Sequence, residues 1–155
     1  MASQDRIIIY CDGACSGNQY RTNAGGWGAI LQHGDLLKEI HGGVLNTTNQ
    51  RMELTACIRA LEQLKSGRHA VEVHTDSAYL VNCINNKWYI AWQKNGWKNA
   101  AKKPVENRDL WERLLALLSI YNVVFIKVAG HSGNKLNERA DELARQGIEK
   151  AKKAR

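Results

Sequence analysis

A run of β-branched and aromatic residues, Arg6-Ile7-Ile8-Ile9-Tyr10-Cys11, ends at Asp12-Gly13 and reads as a strand buried on both faces. Residues 27–32 and 36–42 read as two more strands, with His33-Gly34-Asp35 as the tight turn between them. Connections this short predict an antiparallel meander of three strands. The period then changes. A helix starts at Thr47-Thr-Asn-Gln50, with Thr47 as N-cap and Gln50 closing a capping box, runs to about residue 65 and stops at Ser66-Gly67. Residues 70–75 alternate as a strand that ends at Asp76. Because a helix separates it from the meander, it is expected to cross over and lie parallel to the first strand, as its neighbour. A short helix over 77–85, an irregular helical and loop segment over 87–108, an amphipathic helix over 109–121, a buried strand over 123–129 and a terminal helix over 136–150 complete the chain.

Against this pattern, four carboxylates stand where apolar residues belong. Asp12 interrupts a buried strand, and a buried anion is costly without a compensating cation or donors. Arg6 cannot serve, since six strand residues span about 20 Å. Glu53 sits mid-stripe on the first helix, with Ala60 and Leu64 about 20° to either side and Cys57 about 40° away; it lies beyond the first turn, where the helix dipole would favour an acid. Asp76 closes a strand at its carboxyl end, where open α/β sheets bind ligands, although it is equally placed to cap the next helix. Asp141 falls on the rim of the last helix's apolar face, where pairing with Arg145 four residues on would also account for it. Together they form a set of hard oxygen donors without a cysteine or histidine pattern, which favours Mg²⁺ or Mn²⁺ over Zn²⁺. Divalent cations would relieve the mutual repulsion of clustered acids.

Composition narrows the setting. The 155 residues contain a single proline, with no repeat or low-complexity tract, so residues 1–155 are expected to form one domain. The first residues lack the basic and apolar regions of a signal peptide, and no apolar run approaches membrane-spanning length, which predicts a cytoplasmic protein without a membrane partner. Cys11, Cys15, Cys57 and Cys83 are then expected to be reduced, and their spacing gives neither a CxxC pair nor a zinc pattern. A formal net charge of +7 makes a polyanion the first candidate partner.

Five stretches carry a resemblance to a known family: Asp12-Gly-Ala-Cys-Ser-Gly-Asn18, Thr47-Thr-Asn-Gln-Arg-Met-Glu-Leu54, Thr75-Asp-Ser77, Gly130-His-Ser-Gly133 and Asn137-Glu-Arg-Ala-Asp-Glu-Leu-Ala-Arg145. In order and spacing they resemble ribonuclease H of the bacterial type 1 form over nearly the whole chain. The resemblance implies an α/β fold with a five-stranded mixed sheet, three antiparallel strands followed by two parallel ones, flanked by helices. It implies hydrolysis of the RNA strand of RNA·DNA hybrids, without sequence specificity, by two Mg²⁺ ions for which Mn²⁺ can substitute, one activating water and the other stabilising the leaving oxygen. The family's four metal-binding acids fall on Asp12, Glu53, Asp76 and Asp141, the four that periodicity selects, and its catalytic histidine falls on His131, a residue type suited to proton transfer at neutral pH.

Substrate contacts are expected at Gly13, Asn18, Thr48, Asn49, Gln50 and Asn107 near the metals. Residues 87–108 resemble the family's basic protrusion, with Trp88, Trp92 and Trp97 interleaved among lysines. Trp88, Trp97 and Lys98 are expected on its binding surface, whereas Trp92 is expected to pack. The chain departs from the family pattern at Gln19–Ala24, at Gln50 in place of asparagine and at Ala78 in place of glutamine; these touch substrate contacts and leave the metal set intact. No obligatory protein partner is implied, and a monomer is expected. A hybrid-binding module of the same fold that does not cut is the main rival reading, and loss of any one acid would favour it. A DNA-junction nuclease is disfavoured by the basic protrusion.

Overall fold

The computed structural model describes residues 6–17, 23–129 and 133–154. Three antiparallel strands, β1 (Ile7–Ser16), β2 (Ala24–His33) and β3 (Leu36–Leu45), lead to α1 (Asn49–Leu61). Then follow β4 (Ala70–Thr75), α2 (Ala78–Asn85), α3 (Trp88–Asn95), α4 (Arg108–Leu118), β5 (Asn122–Lys127) and α5 (Lys135–Lys153). The sheet order is β3-β2-β1-β4-β5, with β4 parallel to both β1 and β5. The expected α/β class, meander and crossover are all present.

The meander strands are longer than their hydrophobic runs. β1 continues through Gly13 to Ser16, paired residue for residue with β2 back to Ala24. Two glycines in these strands are there because helices press on the sheet. A Cβ on Gly13 would lie 2.4 Å from the Glu53 backbone nitrogen, and one on Gly28 would lie 2.5 Å from Leu143 Cβ. The β2–β3 turn needs only Gly34-Asp35 outside the ladder, with Gly34 at φ +62°, as a two-residue hairpin loop demands of its first position.

α1 packs on β1 and β2 from one face, while α5 covers β1, β2 and β3 from the other. β2 is therefore buried on both sides, but β1 is not: Ile7, Ile9 and Cys11 face α1 and are buried, whereas Ile8 and Tyr10 are half-buried. β5 also departs from the expected buried strand. It is an edge strand in which only Phe125 is buried, with Val124 and Ile126 left exposed.

The start of α1 differs by one residue from the expected cap. Thr48, not Thr47, accepts the Arg51 amide and caps the helix. Thr47 is buried and held through its backbone, its amide donating to Asn23 Oδ1 at 2.9 Å and its carbonyl accepting from Asn23 Nδ2 at 2.8 Å. The Thr47–Gln50 capping box is absent, and the helix ends at Leu61 rather than near residue 65. Residues 87–108, expected to mix helix and loop, hold the two-turn α3, after which the chain folds back through a Lys98–Pro104 bridge.

Candidate functional site

Asp12, Asp76 and Asp141 arrive from β1, the end of β4 and α5, and line one cleft of about 40 Å³ together with Asn137 and Glu138. That volume holds a few water-sized groups. Local packing explains the meeting. Asp12 lies directly opposite Gly28 in the β1–β2 ladder, and Gly28 has no side chain to keep α5 away, so the helix carries Asp141 down to Asp12. Gly13 does the same for α1, admitting the backbone that bears Glu53. Gly13→Ala is expected to cost about 1–3 kcal/mol, because the added methyl meets backbone rather than a yielding side chain. An unchanged urea midpoint would show that α1 stands further from β1 than this geometry requires.

Asp76 is not the cap of α2, since Ser77 takes that role by accepting the Leu80 amide at 3.1 Å. Its carboxylate is left for the cleft. Asp141 does pair with Arg145, at 2.9 Å, while still lining the cleft. Glu53 stands to the side, beside Ser77 and Asp76, and is not among the residues that line the cleft.

The electrostatics are those of anions without enough compensation. Burial first, then the nearby Asp76 and Asp141 carboxylates, push the Asp12 carboxyl up to about 8, against the pull of the Gly13 amide that donates to Oδ1 at 2.9 Å. Burial likewise raises Glu53, with Asp76 adding to the rise and Ser77 opposing it. Among the described residues, no three His, Cys, Asp or Glu side chains form a ready-made ion cage. The donors are nonetheless all oxygen, convergent on an ion-sized cleft and short of positive charge, which fits a hard divalent cation rather than a soft one.

The expected contact residues divide by position. Gly13 lies under the start of α1, and Thr48, Asn49 and Gln50 are exposed at that helix's N-terminus. Asn107 joins a network that the sequence did not reveal: Arg51 donates to Asn107 Oδ1 at 3.3 Å and doubly to Asp109, while Asn107 Nδ2 and Trp111 Nε1 both donate to the Tyr79 hydroxyl. Trp88 is 42% exposed and Lys98 is exposed, as expected. Trp97 is not on the surface. It is 7% exposed and packs on Trp92, with the Arg108 guanidinium over its ring at 5.3 Å, because its left-handed backbone (φ +64°) turns it inward. Trp92 packs, as expected, against Trp97 and Trp111. Asn18 and His131 lie outside the described residues.

Asn23, Ser77 and Asn137 were not singled out by the sequence. Asn23 pins the entry to α1, Ser77 caps α2 beside Glu53, and Asn137, 6% exposed, lines the cleft. A polar residue buried beside an acid is the signal, and burial is not readable from sequence at a cap or a loop.

Comparison with known proteins gives matches over nearly the whole chain. The family model for RNase H matches residues 4–149. The chain is 56% identical over 142 residues to the ribonuclease H of Chlorobaculum parvum, covering 92% of this chain and 94% of that protein. Among solved structures it is similar to LC9-RNase H1, a type 1 RNase H with the type 2 active-site motif, at TM-score 0.78 and 29% identity over 93% of this chain and 72% of that one. It is also similar to LC11-RNase H1, solved in complex with an RNA/DNA hybrid, at TM-score 0.62 and 26% identity over 94% of this chain and 98% of that one.

Proposed function

This chain belongs to the ribonuclease H family and is a ribonuclease H enzyme, and from that membership we propose that it hydrolyses the RNA strand of RNA·DNA hybrids at the cleft formed by Asp12, Asp76 and Asp141, with Glu53 beside it. The observation that carries the reading is the convergence of three carboxylates from three separate elements on one ion-sized cleft. The neighbour bound to an RNA/DNA hybrid supports the choice of substrate. All four acids are present, which favours a cutting enzyme over a silent hybrid-binding module.

Asp12, Glu53, Asp76 and Asp141 would hold two Mg²⁺ ions, or Mn²⁺ in their place. Bound there, the metal supplies charge neutralisation for the scissile phosphate and a water acidic enough to attack it. The protein's own groups do the positioning. Ser77 opposes the rise that burial imposes on Glu53, Arg145 balances Asp141, and the Gly13 amide fixes one oxygen of Asp12. His131 is assigned the proton transfer that accompanies departure of the leaving oxygen. Thr48, Asn49, Gln50 and Asn107, with Asn18, are assigned the sugar-phosphate contacts that read hybrid shape rather than base sequence. Residues 1–155 act as one catalytic domain and as a monomer, with 87–108 as its basic protrusion.

Lys87, Lys94, Lys98, Lys102 and Lys103 are all exposed, and among the described residues none of them enters an ion pair. They are free to meet phosphates. Neutralising three is expected to raise KM, leave kcat nearly unchanged and flatten log K against log salt by about 0.9 for each phosphate that no longer meets a lysine. Trp88→Ala is expected to weaken binding with the slope unchanged, since a ring releases no counterions. Equal slopes for the wild type and the triple variant would reduce these lysines to a solvated face.

The substrate assignment is tested with separately labelled strands of an RNA·DNA hybrid, a DNA duplex and an RNA duplex. Only the RNA strand of the hybrid is expected to be cut. Cleavage of the DNA duplex at a comparable rate would overturn the assignment.

A further inference from the structure

Two histidines meet at the end of the sheet remote from the acids. His33 closes β2 and His69 precedes β4, both are half-buried, and their ring centroids are 4.7 Å apart with planes inclined at 59°. The ladders account for the meeting. His33 pairs with Ile7 across β1–β2, and Val71 pairs with Ile7 across β1–β4, so His69, two residues before Val71, reaches back over the start of β1. Asp12 lies five strand residues beyond Ile7, about 17 Å away at ~3.3 Å per residue.

We propose that His33 and His69 together bind one transition-metal cation of the Zn²⁺ class, as a second metal site chemically distinct from the acid cleft. Zn–N bonds are about 2.0–2.1 Å, and adding the radius of an imidazole ring places an ion about 3.2 Å from each centroid. Two centroids 4.7 Å apart then subtend roughly 95° at that ion. This is about 15° tighter than the tetrahedral angle, and the broad χ2 torsion of histidine lets a nitrogen of each ring turn toward that point. No third acidic, cysteine or histidine ligand joins them among the described residues, so water completes the shell. Of the cations at this end, Lys38 is engaged with Gln63 and Arg6 with Glu72, while Arg68, beside His69, is exposed to solvent.

The donor chemistry separates the two sites. Imidazole nitrogen suits Zn²⁺, Cu²⁺ and Ni²⁺, whereas carboxylate oxygen suits Mg²⁺, so Mg²⁺ saturating the cleft leaves the histidines free. A bound ion would tie the end of β2 to the start of β4 across β1. The ligands are 36 positions apart in sequence, so binding is a folding constraint as well as a coordination event.

The test melts the full chain in saturating Mg²⁺ while Zn²⁺ is added. At Zn²⁺ a hundredfold above its dissociation constant, Tm is expected to rise by about 5 °C or more. His33→Gln and His69→Gln should each abolish the rise, and His41→Gln, on β3, should keep it. Absence of the rise in the wild type, or its survival in either of the first two variants, would overturn the proposal. Electron paramagnetic resonance of the wild type with Cu²⁺ supplies a readout that needs no variant: hyperfine coupling to two imidazole nitrogens is expected, and a spectrum without nitrogen coupling would overturn it.

Discussion

Asp12→Asn is expected to bind hybrid as the wild type does and to lose cleavage by more than ~10²-fold, the loss that removing even indirect support of a metal ligand can bring. The amide keeps the size of the side chain and the contact with the Gly13 amide, but removes the charge that faces Asp76 and Asp141. Stability should move the other way. The Asp12 carboxyl is raised to about 8 in the folded protein, from an ordinary carboxylate value when unfolded. Between those two values the folded state holds the extra proton, so its stability contribution is fully present below the unfolded pKa and is lost as pH rises through about 8. Free of metal, Asp12→Asn should therefore melt higher than wild type above pH 8, and the difference should close as pH falls toward 4. Melting curves across that range check the sign; a variant that melts lower at alkaline pH would mean that Asp12 is compensated within the protein.

His131→Ala is expected to slow turnover by ~10²-fold while leaving Mg²⁺ affinity unchanged, because general acid-base help is worth about that much and the imidazole is not assigned as a ligand. The described residues on either side of it approach the cleft. The Val128 amide donates to the Thr75 carbonyl at 2.9 Å, next to Asp76, and on the other side Asn134 caps α5 just before Asn137 and Glu138 enter the cleft. Calorimetric titration separates the roles: a large loss of Mg²⁺ affinity in the variant would make His131 a ligand.

Asp12 and Glu53 stood out because each breaks a pattern. A charge at a strand's buried end, or on a helix's apolar stripe, is visible in one dimension. Asp76 and Asp141, each with an ordinary role open to it, were selected only together with those two. The order of the first four strands was legible from the lengths of the connections. Close approach was not. Gly13 read as the end of a strand and Gly28 as an ordinary strand position, and only the three-dimensional contact reveals them as the gaps through which α1 and α5 bring Glu53 and Asp141 to Asp12. Trp97 was misplaced for a related reason: lysines on both sides suggested a surface, and the turn of its backbone that buries the ring depends on a fold-back to Pro104. The one-residue error at the α1 cap has its cause in Asn23, distant in sequence, whose amide claims the Thr47 backbone and leaves Thr48 to cap. β5 read as buried from its composition alone, but composition does not say which strand is last in the sheet.

The acid cleft should cut RNA in a hybrid only when it holds divalent cations. The decisive experiment takes a hybrid with its RNA strand end-labelled, mixes it with wild-type protein stripped by chelator, and then adds Mg²⁺ in steps. At zero metal the strand should stay uncut with the hybrid still bound, and the cleavage rate should then rise with Mg²⁺ to a plateau. RNA cut at an undiminished rate by the metal-free protein would contradict the metal-dependent role assigned to Asp12, Glu53, Asp76 and Asp141.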